Sequence, residues 1–518
     1  METKAARLRR PWFRAILRRR IFVILLLLAQ FAFIYYAMKS DSVAVAVIRD
    51  ILRIVSILVA FHVVSKKNKA ANKVSWIVLI LVFPIFGGAF YLLCHFQRAT
   101  LQFKRELAEI DAAGRDLFHL PGDAFDEAKL TSPEHTAQMR YLQNFMGFPV
   151  YDATQTRYFS PGEAFIKPFL SELKKAKKYI FLEYFIISDG VMWRSILDVL
   201  KEKARQGVEV RLIYDDLGCF VTLPKDYRRT LEEYGIKCMV FNPFRPVLTA
   251  MQNNRDHRKI AVIDGKVAFT GGMNLADEYI NKYEKHGYWK DSAIKVEGKA
   301  AWSMTLMFLE MWELLSGIEE DKASFYPWRG APCMVRTDGF VQPYADSPMD
   351  GEHVGEHVYL QMLETARDYV YITTPYLIVD DSVLSALCLA AKSGVDVRII
   401  TPKIWDKTLV HITTRSYYRE LIANGVKVYE YAKGFMHSKT FVSDDSTATV
   451  GTINLDFRSM YLHFECGVWM SGTSAVAQVR EDFLKTLDDC VLITPEMCRG
   501  NALTRGFQNF LRLFAPLM

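Results

Sequence analysis

Two copies of one chemical pattern stand out in this chain. In the first, His257 and Lys259 are followed by Asp264 and then by Gly271, Gly272 and Asn274; in the second, His437 and Lys439 are followed by Asp444 and then by Gly451 and Asn454. The interval from histidine to asparagine is 17 residues in both. One short match can arise by chance. Two in register, each with its trailing Gly-x-x-Asn, put half of one site in each half of the chain. On a strand, residues i and i+2 share a face, so each histidine stands beside its lysine. An imidazole, an ammonium, an amide donor and close-approach glycine backbone together suit an anionic phosphate. Duplicated, they divide into a nucleophile, a general acid and groups that stabilise developing oxyanion charge. The residues alone allow either histidine to be the nucleophile.

The elements that must carry this pattern are also repeated. Lys259 to Asp264 is a β-rich run, and Asp264-Gly265 is a hairpin-turn signal before Val267 to Thr270. The segment Ala204 to Ile213 recurs as Ala391 to Ile400, each preceded by an apolar strand beginning at Tyr179 or Tyr369. Helical stretches, Val191 to Arg205 and Ser382 to Lys392, lie between strand and repeat, and later helices end at Gly235 and Gly425. This alternation predicts an α/β fold, a duplicated sandwich with mainly parallel strands and the site between its halves. Asp264 and Asp444 fall near strand ends, where a structural ion pair is the expectation. The first half carries a longer connection before its histidine; its segment Asn242 to Met251 is apolar with one arginine, suited to a lipid-facing lip or an ordinary surface loop.

From about Tyr141 to Met518 the chain resembles the phospholipase D superfamily, whose signature is this duplicated motif. Flanking runs, Asn253 to Ile260, Phe269 to Tyr279, Gly287 to Asp291, Gly451 to Ser459 and Arg512 to Met518, resemble its cardiolipin synthase branch. The resemblance implies a covalent phosphohistidine, a second histidine that protonates the leaving alcohol, and no metal or other cofactor. By that analogy His257 is the nucleophile and His437 the acid, with Lys259, Asp264, Lys439 and Asp444 completing the catalytic motifs. It also implies that Asn274 and Asn454 bind phosphate, and that Asp291 and Glu465 orient the histidines, without saying which acid serves which. Gly272 stands where much of the superfamily has serine, and His463 where this branch more often has asparagine.

The front of the chain supplies an address. Residues 21–38 and 74–94 form uncharged stretches of 18 and 21 residues, each long enough to span a bilayer. Eight lysines and arginines precede the first, which predicts a cytoplasmic N-terminus. The first stretch lacks the cleavage site of a signal peptide. A third stretch, Val43 to Val64, is interrupted by Arg49, Asp50 and Arg53, and Lys66, Lys67, Lys69 and Lys73 follow it. Two spans would leave the later lobes in the cytoplasm; three would put them outside. The expected plan is a basic N-terminus at 1–20, a transmembrane region at 21–95, a helical linker at 96–140, phospholipase D-like lobes at 141–336 and 337–492, and an amphipathic segment at 493–518. A net charge of +7 favours contact with anionic headgroups. Together these features imply a multi-pass protein of a bacterial cell membrane.

Other signals carry less. His353-Val-Gly-Glu-His357 matches a metalloprotease pattern but has no third ligand in view. Eight scattered cysteines show no CxxC pairing and read as free thiols. Asp215, Asp216, Asp380 and Asp381 read as loop-capping acids, and His411 and His463 as local hydrogen-bonding residues. No Gly-rich nucleotide loop is present, which argues against synthesis from a nucleotide-activated lipid. The resemblance implies a phosphatidyltransferase joining two phosphatidylglycerol molecules into cardiolipin and glycerol, with lipids and the bilayer as partners and no nucleic acid. A phospholipase D acting on other acceptors is the alternative chemistry, and a non-catalytic lipid-binding scaffold the alternative class.

Overall fold

A computed structural model describes residues 42–67, 69–83, 87, 88, 90, 91, 98–243 and 250–517, together with residues 28, 32, 35, 36 and 39. The chain divides into two compact units. One comprises residues 1–103, 244–253 and 510–518, the other residues 104–243 and 254–509.

The larger unit is built twice on one plan. Its first half contains β1 (Thr154–Phe159), β2 (Tyr179–Tyr184), β3 (Glu209–Asp215), β4 (Lys237–Phe241), β5 (Arg255–Asp256), β6 (Lys259–Ile263), β7 (Val267–Gly271), β8 (Tyr288–Lys290) and β9 (Ala293–Gly298). Its second half contains β10 (Phe340–Asp346), β11 (Tyr369–Thr373), β12 (Leu377–Ile378), β13 (Asp396–Pro402), β14 (Lys427–Tyr431), β15 (Gly434–Met436), β16 (Thr440–Ser443), β17 (Thr447–Gly451), β18 (Leu455–Asp456), β19 (His463–Ser471) and β20 (Cys490–Leu492). The first sheet runs β1-β9-β7-β6-β2-β3-β4 and the second β10-β19-β17-β16-β11-β13-β14-β20. The two orders correspond strand for strand, with β20 added at one edge.

Only β2-β3-β4 and β11-β13-β14 are parallel; every other neighbour along these two orders is antiparallel. The sheets are therefore mixed, and the expectation of mainly parallel strands is corrected. Helices Val191–Arg205 and Asp381–Lys392 supply the crossovers that parallel neighbours require. The motif strands instead return through tight turns, which only antiparallel pairs can use. Asp264 and Gly265 (φ 51° and 65°) form one turn, Asp444 and Asp445 (φ 53° and 52°) the other.

Each sheet buries one face under a helix, apolar in the first half and amphipathic in the second. Ala301–Ser316 lies on β2, β4, β6, β7 and β9, with Phe308 stacked on Phe181 at 4.7 Å. Ser474–Leu487 lies on β11, β14, β16, β17 and β19, with Phe483 stacked on Tyr371, also at 4.7 Å. The opposite face of the first sheet is covered by Val191–Arg205, whose Trp193, Ile196 and Leu200 join Ile180, Leu182 and Leu212 in one core. The halves meet where β7 and β9 approach β17 and β19. Within each half, glycine is required at equivalent places against the neighbouring strand: a Cβ on Gly271 would lie 2.5 Å from Ser292 O, and one on Gly451 2.5 Å from Cys466 O.

The smaller unit contains helices Val43–Ser65 and Ala70–Val82, which pack together around Val63, Trp76, Ile80 and Tyr91. The charged stretch at Arg49 does not break the first helix: charged side chains are compatible with helical backbone, and Asp50 lies 3.3 Å from Arg49 and 3.6 Å from Arg53 on the exposed face. The second helix stops at Val82, with Phe83 at ψ 73° directly before Pro84, a position where helical geometry is disfavoured. The stretch 74–94 is therefore not one continuous helix. Among the described residues, no helix is long and apolar enough to cross a membrane. The expected span 21–38 and the tip of the 242–251 connection lie largely outside the described residues.

Candidate active site

Each motif strand is preceded by a short strand that leaves its own half. β5, immediately before His257, pairs in parallel with His463 and Phe464 of β19. β15, immediately before His437, pairs in parallel with β8. His257 N–H donates to Phe464 O at 2.9 Å, and His437 N–H to Lys290 O at 2.7 Å. Glu465 directly follows Phe464, and Asp291 directly follows Lys290. The register thus delivers each histidine to the acid of the other half.

The side chains complete the crossing. His257 Nδ1 lies 2.9 and 3.0 Å from the two Glu465 oxygens, and His437 Nδ1 lies 2.7 Å from Asp291 Oδ2. Both acids are wholly buried. A carboxylate only accepts, so Nδ1 carries the proton in each ring and Nε2 keeps its lone pair. Glu465 is itself fixed by the Thr452 hydroxyl, which donates to it and accepts from Cys466 N–H at 3.0 Å. The equivalent position in the first half is Gly272, where a Cβ would stand 2.1 Å from Asp291 Oδ1; Ser292 N–H donates to that oxygen at 2.7 Å instead. The missing hydroxyl at Gly272 is therefore replaced by backbone.

Both motif lysines are buried beside these rings. Lys259 Nζ donates to His257 O at 2.5 Å; Lys439 Nζ donates to His437 O and lies 2.9 Å from His437 Nδ1. Burial pushes Lys259 down to about 8 and Lys439 to about 7. Burial, with Lys439 next, brings His437 down to about 4, and burial with both lysines holds His257 well below its ordinary value. Two neutral imidazoles among crowded cations make a site that gains from an anion.

Not every expected residue joins this centre. Asn274 is tied on both sides, accepting from Ile186 N–H at 2.9 Å and donating to Tyr279 OH at 2.7 Å. Asn454 is buried with its Oδ1 unpartnered. Asp264 and Asp444 sit at the far ends of their strands, seven residues past the histidine and roughly 23 Å of extended chain from it. The Asp264 carboxylate accepts from the backbone N–H groups of Lys177, Lys178 and Tyr179 at 2.8, 2.7 and 2.9 Å. Asp444 accepts from Arg367, Asp368 and Tyr369 at 2.7, 3.0 and 2.8 Å. These acids are corrected from catalytic or ion-paired groups to anchors that clip the hairpin turn to the start of the neighbouring strand.

Several positioning residues escaped sequence reasoning. Arg255 holds β5 by a buried fork on Asp215, at 2.9 Å for both Nε to Oδ2 and Nη2 to Oδ1. Arg258 pairs with Glu183 at 2.5 Å. The available signal was a charged run, Arg255-Asp256-His257-Arg258-Lys259, directly ahead of the apolar strand residues Ile260 to Ile263. Around His437 rings take this part: Trp289, Tyr279 and Phe435 have centroids 5.3, 5.4 and 5.8 Å away. His463 is not the hydrogen-bonding residue expected, since neither ring nitrogen has a partner. The His353–His357 pattern does not converge: His357 Nδ1 lies 2.9 Å from Tyr141 OH, while His353 packs on Tyr461. Asp215 and Asp380 do cap helices, as their positions predicted. The seven described cysteines are free thiols.

The doubled sheet and crossed histidine–acid pairs define a two-lobed phospholipase D-like protein. Residues 169–301 and 359–487 each match the family described as cardiolipin synthase, PLD-like domain, and residues 54–94 match the phospholipase D-nuclease N-terminal family. The chain is 41% identical over 459 residues to a protein of Streptococcus mutans, covering 88% of this chain and 99% of the relative. It is 35% identical over 467 residues to the cardiolipin synthase of a Geobacillus species (89% and 92% covered). It is 35% identical over 464 residues to cardiolipin synthase 2 of Bacillus cereus (88% and 89% covered). Among solved structures, phosphatidylserine synthase of Haemophilus influenzae shares the fold, with TM-score 0.55 at 15% identity over 73% of this chain and 97% of that one. The chain belongs to the cardiolipin synthase family of phospholipase D-like proteins.

Proposed function

We propose that this chain is a cardiolipin synthase, a phosphatidyltransferase that converts two phosphatidylglycerol molecules into cardiolipin and glycerol. The observation that carries this reading is the pair of crossed dyads, His257–Glu465 and His437–Asp291, in a chain aligned almost end to end with cardiolipin synthases. His257 Nε2 attacks the phosphorus, and the bond to the glycerol headgroup breaks as His437 gives that oxygen a proton. Glu465 stabilises the imidazolium formed at His257. The phosphodiester brings a negative charge beside His437 and, with Asp291, favours its protonated form in the complex. A terminal hydroxyl of a second phosphatidylglycerol then gives its proton to His437, attacks phosphorus and releases His257. Lys259 and Lys439 hold the non-bridging oxygens. Because water could replace the second lipid, protection of the intermediate separates synthase from hydrolase.

The N-terminal region serves as the membrane attachment in this reading. The helix Val43–Ser65 exposes Val47, Ile51, Ile54, Leu58 and Phe61, an apolar surface suited to lipid rather than water. The lobes at 141–336 and 337–492 then work on lipid headgroups at the surface of a bacterial cell membrane. Detergent-purified protein given labelled phosphatidylglycerol alone, without nucleotide, tests the function. Cardiolipin and glycerol in equal amounts are the expected products. Phosphatidic acid as the sole product would make the chain a hydrolase.

A further inference from the structure

The two dyads are not equivalent in what flanks them. Two residues before Asp291 stands Trp289, packed on His437 at 5.3 Å. Two residues before Glu465 stands His463, packed on His257 at 5.5 Å. One flank is thus an apolar ring and the other an imidazole. His463 is 9% exposed and neither of its ring nitrogens has a hydrogen-bond partner. Its Nδ1 lies 3.7 Å from Glu465 Oε1, too far for a hydrogen bond. A buried imidazole with neither nitrogen satisfied is a ready donor for a ligand that reaches it.

The surroundings say what kind of ligand. Glu465 Oε1 lies 2.9 Å from His257 Nδ1 and 3.7 Å from His463 Nδ1. Ligand atoms of all three residues fall within 4.8 Å of one another, and among the described residues this is the single such group. Zinc bound at about 2.0–2.2 Å in a tetrahedral shell has ligand–ligand edges of roughly 3.3 Å, between the two shorter separations. Two neutral imidazoles and one carboxylate are also the donor set of many zinc sites.

We propose that His257, His463 and Glu465 form an inhibitory site for zinc or a similar transition-metal dication. The inference rests on the functional reading only in taking His257 as the nucleophile. The ion takes the place of the proton between His257 Nδ1 and Glu465. Coordinated through Nδ1, a neutral imidazole carries its proton on Nε2, so the lone pair needed for attack on phosphorus is lost. His437 has Trp289 in the equivalent place and keeps its dyad. One ion therefore switches off one half of the site and thereby the whole reaction.

Cobalt(II) is the probe, because its visible absorption reports coordination without turnover. Full-length protein in detergent, stripped with a chelator, is titrated with Co2+ and then with Zn2+, alongside His463→Asn and Glu465→Gln. The expected result is one Co2+ per chain with the intense visible band of a four-coordinate ion, displaced by Zn2+ and lost in both variants. In transfer assays, the Zn2+ concentration giving half-inhibition should rise at least about tenfold in His463→Asn, measured against that variant's own metal-free rate. Absence of the band from the wild type, or an unchanged band in His463→Asn, would overturn the site. Binding measured without substrate stands even if the lipid product differs from cardiolipin, so the two readings fail separately.

Discussion

At the residue scale, chemistry is set by a few buried groups whose protonation the fold controls. Lys439 and Lys259 are charged below about 7 and about 8 and lose charge as pH rises through those values. The free enzyme therefore holds the charge proposed to bind phosphate on the acid side of neutrality. His257, held well below its ordinary value, stays unprotonated there, as the proposed nucleophile must. His437 must be protonated to act yet sits at about 4 in the free enzyme, so kcat/KM is expected to fall about tenfold per pH unit through neutrality, and more steeply between pH 7 and 9 as both lysines lose charge. Initial rates on phosphatidylglycerol in detergent micelles check this; a rate still flat at pH 9 would contradict it. The histidines, lysines and acids were legible in the sequence because their types and intervals repeat. The pairing of acid with histidine was not, because it depends on two strand contacts between halves more than 140 residues apart.

At the element scale, the hairpin turn carries the last residue of the motif. Asp264 and Asp444 each satisfy three backbone N–H groups at the start of a neighbouring strand, while their own residues occupy left-handed backbone. Motif membership alone suggested catalysis, and position alone suggested an ion pair; only the fold shows the N–H groups brought opposite. Asp264→Ala or Asp444→Ala should cost about 2–4 kcal/mol of stability, one to two charge-assisted hydrogen bonds net, and leave kcat within about threefold below the unfolding transition. Thermal unfolding with rates at low temperature separates the two; a large loss of kcat in a stably folded variant would restore a catalytic part. The same scale explains the misjudged sheets. Strand–helix–strand alternation was read correctly where helices intervene, but the motif hairpin adds antiparallel strands that alternation does not announce. In the smaller unit, apolar length misled: the second helix ends at Val82 although hydropathy alone would carry it to Cys94, and Val43–Ser65 runs on through Arg49 and Asp50.

At the scale of the whole molecule, the two halves are one machine. Duplication was plain from sequence, as were the two lobes; the exchange of short strands that makes each lobe depend on the other was not. Arg255 and Arg258 secure one exchanged strand through Asp215 and Glu183, and the rings of Trp289, Tyr279 and Phe435 surround the other histidine. Damage to an acid in one lobe should therefore be felt by the histidine of the other. The decisive measurement uses a phosphatidyl diester with a nitrophenol leaving group, which departs without protonation. In rapid-quench experiments, His437→Ala and Asp291→Asn should give a burst of nitrophenol and label on His257, because only the acid is impaired. His257→Ala and Glu465→Gln should lose the burst by about a hundredfold or more. A full burst from His257→Ala, or label on His437, would contradict the assignment of nucleophile and acid across the crossed dyads.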